Sequence, residues 1–221
     1  MTPGRRAFGT LFTGRRSQEE LDGAAGPDRP RRAAGGLRPR GEGPSRAQAG
    51  GCGRRRHRDP GAAGAPATRR AARLRAHAGQ WALPGGRRDA GETAVEGALR
   101  EVQEEVGLAL SPDAVLGLLD DYVTRSGYVM TPVICWAGQV GELTGAEEEV
   151  AAVYQVPLAD LDVEPRFLTI PESAAPVIQL PLFERFVHAP TAAIIHQFCR
   201  IACRGQVERV SHYEQPVFAW R

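Results

Sequence analysis

The chain has 221 residues, enough for one domain of ordinary size or for one domain with a tail. No apolar run approaches the roughly 20 residues that a membrane-spanning helix needs, and no secretory signal with a hydrophobic core is present. The four cysteines show no disulfide framework, so a reducing cytoplasm is the expected location.

The net charge of +2 hides a sharp change in composition along the chain. Residues 1–66 contain 14 Arg against 6 Asp and Glu, and no Val, Ile, Tyr or Trp. The remaining residues carry 14 Arg against 20 acids. Because so few apolar side chains cannot offset the entropy of an ordered chain, we predict a disordered, Arg/Gly/Pro-rich segment at 1–66 and a folded domain at 67–221.

Three interpretations of residues 1–66 stay open. The segment is a natural disordered tail, without the aromatic platforms or fold motifs typical of nucleic-acid binding. Or it is a targeting segment, although Ser is scarce for one. Or it is read out of frame or from a wrong start, because 28 Arg and no Lys indicate GC-rich coding DNA, which yields Arg, Gly, Ala and Pro in other frames.

The next stretch, residues 68–86, is basic and ends in glycines, TRRAARLRAHAGQWALPGG. Arg70 and Arg75 are candidate cations for substrate phosphates, since guanidinium forks suit phosphate oxygens, and the alternative is a solvated basic patch. His77 and Gln80 are candidates to fix the loop or to contact a ligand. The final glycines let the backbone approach other groups closely.

Residues 86–108, GRRDAGETAVEGALREVQEEVGL, predict a glycine-rich loop followed by a helix. Its apolar residues form one stripe at 100° per residue, and we expect Glu101, Glu104 and Glu105 on an arc on the opposite side. Thr93 lies near the predicted start and Gly107 ends the helix. Three carboxylates within a turn and a half favour a site for Mg²⁺ or Mn²⁺, although a solvated acidic face has the same pattern.

The offsets of seven residues in this stretch resemble a complete Nudix box: Gly86, Glu92, Arg100, Glu101, Glu104, Glu105 and Gly107. The resemblance implies a metal-dependent hydrolase of nucleoside diphosphates linked to another group, with an α/β fold, an α/β/α sandwich around a mixed central sheet. It also implies that a carbonyl of the Gly85 and Gly86 loop joins the carboxylates on the metal. Arg100 is expected to orient a box glutamate through a bidentate pair.

Residues 68–86 resemble the coenzyme A pyrophosphatase branch of Nudix enzymes, whose pattern is L-L-T-x-R-[SA]-x3-R-x3-G-x3-[FL]-P-G-G. Every specified position from Thr68 to Gly86 matches, whereas Pro66 and Ala67 replace the leading leucines. In the family those leucines end a strand that follows another apolar strand. We therefore expect the first strands of the sheet to be missing from this chain.

After the box, three segments rich in Val, Ile and aromatic residues are predicted strands, at 115–119, 128–137 and 150–156. The sequence TRSGYVMTPV before and within the second is similar to the same part of the CoA-directed branch. Here Tyr122, Arg125 and Tyr128 are candidates for substrate contact or for strand packing. Glu149 precedes the third strand, where many Nudix enzymes carry an acid that reaches the metal, and a solvated acidic loop is the alternative.

Residues 167–187 mix Pro with apolar side chains and predict a loop with short strands. A helix is predicted over 192–204, ended by Gly205. His196, Cys199 and Cys203 lie on this helix, but without a fourth ligand we expect packing and not a metal site. The final EQPVFAWR is expected to form a last strand or to cover the core.

The resemblance implies metal-dependent hydrolysis of the pyrophosphate of coenzyme A or a CoA derivative, giving 3′,5′-ADP and 4′-phosphopantetheine. A box glutamate or Glu149 is the expected general base. The alternatives are another nucleoside diphosphate derivative (ADP-ribose, a dinucleotide or a nucleoside triphosphate) or a non-catalytic module that senses a nucleotide. The expected partner is a small nucleotide, with no membrane and no specific nucleic acid, and a homodimer is left open.

Overall fold

A computed structural model describes residues 8–17, 64–70, 80–138, 140–146, 148 and 150–220 of the chain. In these residues the strands are β1 (Phe8–Ser17), β2 (Gly64–Arg70), β3 (Trp81–Ala82), β4 (Val115–Leu118), β5 (Tyr122–Val123), β6 (Tyr128–Gly138), β7 (Val150–Pro157), β8 (Arg166–Ile170), β9 (Ser173–Leu182) and β10 (Arg185–His188). The helices are α1 (Ala94–Val106), α2 (Leu158–Leu161) and α3 (Thr191–Arg204), with single 3₁₀ turns at Pro112–Ala114 and Val217–Ala219. No helix in this described part is long and apolar enough to span a membrane.

Two sheets organise the described part of the chain. The larger has seven strands in the order β3-β2-β1-β6-β4, with β5 also paired to β6 and β7 also paired to β2. Strands β1 and β2 run parallel and the other pairs run antiparallel, so this sheet is mixed, as predicted. The smaller sheet is antiparallel, in the order β10-β9-β8.

Strand β6 separates two hydrophobic clusters, because successive side chains of a strand point to opposite faces of the sheet. Val133 and Cys135 pack in one cluster with apolar residues of α1. Met130 and Ile134 belong to the other cluster, which includes Phe198 of α3 and much of β9. Helices therefore cover both faces of the sheet, which confirms the predicted α/β/α sandwich.

Helix α1 begins just after Thr93, which was predicted near its start, and it is ended by Gly107 as predicted. Thr93 is the N-cap, and its hydroxyl accepts the N–H of Glu96 while the Glu96 carboxylate accepts the N–H of Thr93, a complete capping box. Gly107 closes the helix in the left-handed conformation at φ 69°. The predicted apolar stripe also packs as expected, with Val102 and Val106 fully buried.

The expectation that early strands are missing is wrong for two segments. Phe8–Ser17 forms β1 and pairs with β6 along its whole length, and Gly64–Arg70 forms β2 between β1 and β7. Phe, Thr and Leu favour strands, and the backbone of a buried strand such as β6 needs partners on both sides. Residues 1–7 and 18–63 lie outside the described part, so their disorder and the division of the chain at residue 66 stay predictions.

After the box, the observed elements agree with the predicted ones except in one region. Strands β4, β6 and β7 match the predicted segments, and α3 ends at Gly205 with φ 63°. Residues 167–187, predicted as a loop with short strands, instead form most of the regular β8-β9-β10 sheet. The C-terminal residues make a single bridge between Glu214 and Val177 and then a 3₁₀ turn, so they cover the core and do not form a strand.

Candidate functional site

The guanidinium of Arg100 connects three acidic side chains of the predicted site. Its Nε and Nη2 donate to Oε1 and Oε2 of Glu92 at 2.8 and 3.1 Å, which is the expected bidentate pair. Its Nη1 donates to Oε1 of Glu101 and to Oε2 of Glu104, each at 2.9 Å. The hydrogen bond from Arg100 is the main cause that lowers the pKa of Glu92, and the Glu92 hydrogen bond in turn raises the pKa of Arg100. Glu92 is therefore held as a carboxylate.

Glu105 lies elsewhere than the sequence predicted. It was expected on an exposed arc with the other two glutamates, but it is only 4% exposed. Its Oε2 accepts the backbone N–H of Gly85 at 3.0 Å, which gives the buried carboxylate a partner. The glycine-rich loop thus folds over α1 and turns this side chain inward.

Gly86 brings the same loop against Glu101. A Cβ atom at this position would lie 2.3 Å from Oε1 of Glu101, far closer than ordinary contact. Only glycine lets the backbone come so near to this carboxylate without displacing it. The loop of Gly85 and Gly86 therefore contacts two of the three predicted metal ligands.

The donor set has the chemistry of a divalent-cation site, although its present arrangement is not one. Among the described residues, no group of three or more His, Cys, Asp or Glu side chains is placed so that it could hold a metal ion. Glu101 and Glu104 accept from Arg100, while Glu105 accepts from Gly85. Carboxylate and backbone carbonyl oxygens are nevertheless the ligands that Mg²⁺ and Mn²⁺ prefer, and the backbone at Gly86 closely approaches the carboxylate of Glu101.

A cavity of about 290 Å³ lies beside this loop. Its walls come from β3 and the residue before it, from the β5–β6 hairpin, and from β10 with the start of α3. Three residues near the C-terminus complete them: Gln215, Phe218 and Ala219. Gln80 and Tyr128, both predicted to contact a ligand, line this cavity. His188 also lines it, and burial lowers the pKa of this imidazole, which favours the neutral ring.

Arg87 joins the cavity to the carboxylate cluster. Its Nη2 donates to the hydroxyl of Tyr128 at 2.6 Å, and its guanidinium lies 5.4 Å from the centre of the Tyr128 ring. Its backbone carbonyl accepts from Nη2 of Arg100 at 3.0 Å. A ligand in the cavity that extends past Tyr128 would therefore reach the box loop.

Two other predicted contact residues support the cavity wall and do not line it. Tyr122 is buried, its hydroxyl donates to the carbonyl of Tyr213 at 2.9 Å, and burial raises its pKa. Arg125 pairs with the carboxylate of Glu214, and its backbone N–H donates to Oε1 of Gln215 at 2.7 Å. These contacts hold the C-terminal segment against the hairpin.

The remaining predicted site residues are only partly covered by the structure. Arg75, His77 and Glu149 lie outside the described residues, so their roles stay predictions. Arg70 is the last residue of β2, where its backbone pairs with Val150 of β7. On α3, Nε2 of His196 lies 3.0 Å from Oε1 of Glu208, in agreement with the expected packing role.

Sequence reasoning missed several residues that the structure brings to the site. Glu92 had a signal, since its offset is part of the box, but it was given no role at the site. The others come from separate segments and have no local signal in the sequence: Arg87, Arg185, Phe186, His188 and Phe218.

Comparison with known proteins gives concordant matches. A family model described as the NUDIX domain matches residues 61–180, more than half of the chain. "Uncharacterized Nudix hydrolase NudL" of Pectobacterium atrosepticum is 37% identical over 135 residues, which cover 59% of this chain and 70% of that protein. The protein of the same name from Yersinia enterocolitica is 36% identical over 138 residues, covering 60% and 71%. A solved MutT protein from Methanosarcina mazei is 28% identical, with a TM-score of 0.36, and the match covers 43% of this chain and 68% of that one.

Proposed function

The chain belongs to the Nudix family of hydrolases, and we propose that its substrate is coenzyme A or a CoA derivative. Cleavage of the pyrophosphate bond would give 3′,5′-ADP and 4′-phosphopantetheine. The proposal places this reaction in the cytoplasm, and the described cysteines, which are free thiols, are compatible with a reducing compartment. The oligomeric form proposed for test is a homodimer.

The observation that carries the proposal is the position of residues 80–86, the end of the CoA-branch pattern. Gln80 and Trp81 line the cavity, while Gly85 and Gly86 contact Glu105 and Glu101. The pattern thus runs from a ligand-sized cavity to the box carboxylates. In a substrate with a nucleoside on one side of a diphosphate, the nucleoside would lie in the cavity and the diphosphate beside the box carboxylates.

The first residues of the CoA-branch pattern contact residues near its end. Oγ1 of buried Thr68 donates to the carbonyl of Ala82 at 3.1 Å, and β2 pairs with β3. Arg70, two residues further along β2, is therefore near the same segment of chain. This backbone placement supports the proposal that Arg70 meets a substrate phosphate, since arginine pairs well with phosphate oxygens. Arg75, outside the described residues, is proposed for the same role from its place in the pattern alone.

Nudix hydrolases generally need divalent metal ions. We propose Glu101, Glu104, Glu105 and the loop of Gly85 and Gly86 as the residues that hold the ion, Mg²⁺ or Mn²⁺. Such an ion supplies charge neutralisation on the diphosphate and makes water more acidic.

The protein's own groups then have separate roles in the proposal. Arg100, fixed by Glu92, holds the carboxylates of Glu101 and Glu104 at one place on α1. A box glutamate or Glu149 takes the proton of the attacking water as general base. Tyr128 and Arg87 lie between the cavity and the box loop and orient the substrate across it.

A substrate panel tests the proposal. Coenzyme A, ADP-ribose, a dinucleotide and a nucleoside triphosphate are offered at equal concentration with Mg²⁺ or with Mn²⁺, and products are identified by mass spectrometry. The proposal predicts the highest kcat/KM for coenzyme A, with 3′,5′-ADP among the products. A clear preference for ADP-ribose would show that ADP-ribose, and not coenzyme A, is the substrate. Tight nucleotide binding without product under either metal would favour the non-catalytic alternative, which the relatives do not favour.

A further inference from the structure

Two aromatic side chains line the cavity although they are unusually exposed. Phe186 of β10 is 44% exposed and Phe218 of the C-terminal 3₁₀ turn is 62% exposed. The ring of His188 meets that of Phe218 edge-on at 5.1 Å, and the guanidinium of Arg166 lies 5.3 Å from the centre of the Phe186 ring. Large apolar rings left open to a cavity are typical of surfaces that a ligand covers.

Arg185 adds a positive charge to the same wall. It precedes Phe186 in β10 and is the only arginine among the described residues that line the cavity. Within the described part of the chain its guanidinium has no ion-pair or hydrogen-bond partner, in contrast with Arg87, Arg100 and Arg125. An arginine without a partner beside exposed rings suits a ligand that carries both a flat ring and an anion.

The cavity is large enough to hold a group of the size of a nucleoside. At about 290 Å³ it is at the small end of ligand pockets, which start near roughly 300 Å³. A heteroaromatic base stacks on aromatic side chains, whereas the flexible pantetheine chain has no flat face to offer them.

We propose that this cavity binds the nucleoside end of the substrate, with the base against Phe186 and Phe218 and Arg185 paired to a phosphate on the ribose. The inference rests on the proposed function, and it adds that the enzyme distinguishes coenzyme A from dephospho-CoA, which lacks that phosphate. The 5′ side of the nucleoside then extends past Tyr128 toward the box loop, where the diphosphate is cleaved.

The test is a binding measurement that needs no turnover. Calorimetry in EDTA compares adenosine 3′,5′-bisphosphate with 5′-AMP, and the wild type is expected to bind the bisphosphate about tenfold tighter or more, the effect of one charge-assisted hydrogen bond. Arg185→Gln is expected to bind the two nucleotides alike. Phe218→Ala is expected to weaken both by about fivefold or more, as for loss of one stacking ring.

Matched controls remove the same chemical groups outside the cavity. Arg204→Gln loses a guanidinium that pairs with Asp162 at the end of α3, and Phe167→Ala loses a phenyl ring, 45% exposed, that stacks on Tyr213. Both controls are expected to bind like the wild type. If Arg185→Gln keeps the preference for the bisphosphate, if Phe218→Ala and Phe167→Ala bind alike, or if the wild type binds neither nucleotide, the inference is overturned.

The same variants separate this inference from the proposed function. Binding that depends on Arg185 and Phe218, together with no product from coenzyme A, would support the cavity assignment and reject hydrolysis of CoA. The other outcome is that Arg185→Gln hydrolyses coenzyme A and that its ratio of kcat/KM for coenzyme A to kcat/KM for dephospho-CoA equals that of the wild type. This outcome would reject the cavity assignment and would not affect the proposed function.

Discussion

Replacing Gly86 by alanine tests whether the glycine-rich loop positions the box carboxylates. The new Cβ would lie 2.3 Å from Oε1 of Glu101, whereas ordinary contact begins at 3.4 Å, so the carboxylate must move by about 1.1 Å. The atoms in the way are the far end of a flexible side chain, and Gly86 does not have the positive φ that strains an alanine. The displacement therefore affects Glu101 far more than the backbone.

A misplacement of about 1 Å in an active site can cost roughly 100-fold in rate. We expect Gly86→Ala to lower kcat for metal-dependent hydrolysis of coenzyme A by about that factor, and to change the free energy of unfolding by less than about 1 kcal/mol. The assays are steady-state kinetics with product identification and urea unfolding followed by circular dichroism.

Gly141→Ala is the matched control, because nothing lies within 4 Å of its added Cβ and the residue is exposed. It should keep both activity and stability. If Gly86→Ala retained kcat within about threefold, the position of Glu101 would not matter for the reaction, and the loop would have no role in positioning it. A large loss of stability would instead show that backbone strain, and not a displaced carboxylate, explains any loss of activity.

Two further variants test the contacts that hold the site in place. Thr93→Ala removes the N-cap of α1 and should lower the free energy of unfolding, measured by urea unfolding, by about 1 kcal/mol. Ser111→Ala is the control, because the Ser111 hydroxyl makes no capping hydrogen bond at the start of its 3₁₀ turn, and its free energy of unfolding should not change. Equal effects of the two substitutions would contradict the capping role of Thr93. The hydrogen bond from Arg125 is the main cause that lowers the pKa of Glu214 in the folded state. The Glu214 carboxylate therefore stabilises the folded state above its ordinary pKa of 4.5, and this stabilisation is lost as the pH falls through the lower pKa of the folded state. The stability difference between wild type and Glu214→Gln should shrink from about pH 7 to about pH 3.5, and a difference independent of pH would be contrary to this account.

Local signals explain why the sequence was sufficient for α1. Thr93, Glu96 and Gly107 act within a turn of the helix ends, and the apolar stripe needs only the helical period. The strands β4, β6 and β7 were predictable for a similar reason, since runs of Val, Ile and aromatic residues between turn residues favour strands wherever they occur.

Contacts between distant parts of the chain explain what the sequence did not predict. Strand β1 is surrounded by Arg and Gly, and its partner β6 is more than a hundred residues later, so composition alone argued against it. The prolines Pro176 and Pro181 lowered the expectation for β9, because proline is unusual in a central strand.

The site shows the same limit. The burial of Glu105 depends on where the Gly85 loop folds back, which helical periodicity does not contain. Arg125 was a candidate for substrate contact, but its guanidinium pairs with the carboxylate of Glu214, which is 89 residues away in the sequence. The box offsets identified the acidic cluster and a pairing role for Arg100, but only the fold shows which glutamates Arg100 contacts and that a cavity lies beside the cluster.

The proposed hydrolysis of a CoA-type pyrophosphate depends on the box glutamates. The most direct measurement is the rate of 3′,5′-ADP release from coenzyme A, with Mg²⁺ or Mn²⁺, by the wild type, Glu104→Gln and Glu105→Gln. We expect product from the wild type and a loss of at least about 100-fold in each folded variant, because a charge that stabilises the transition state is removed. Full activity in both variants would contradict this expectation.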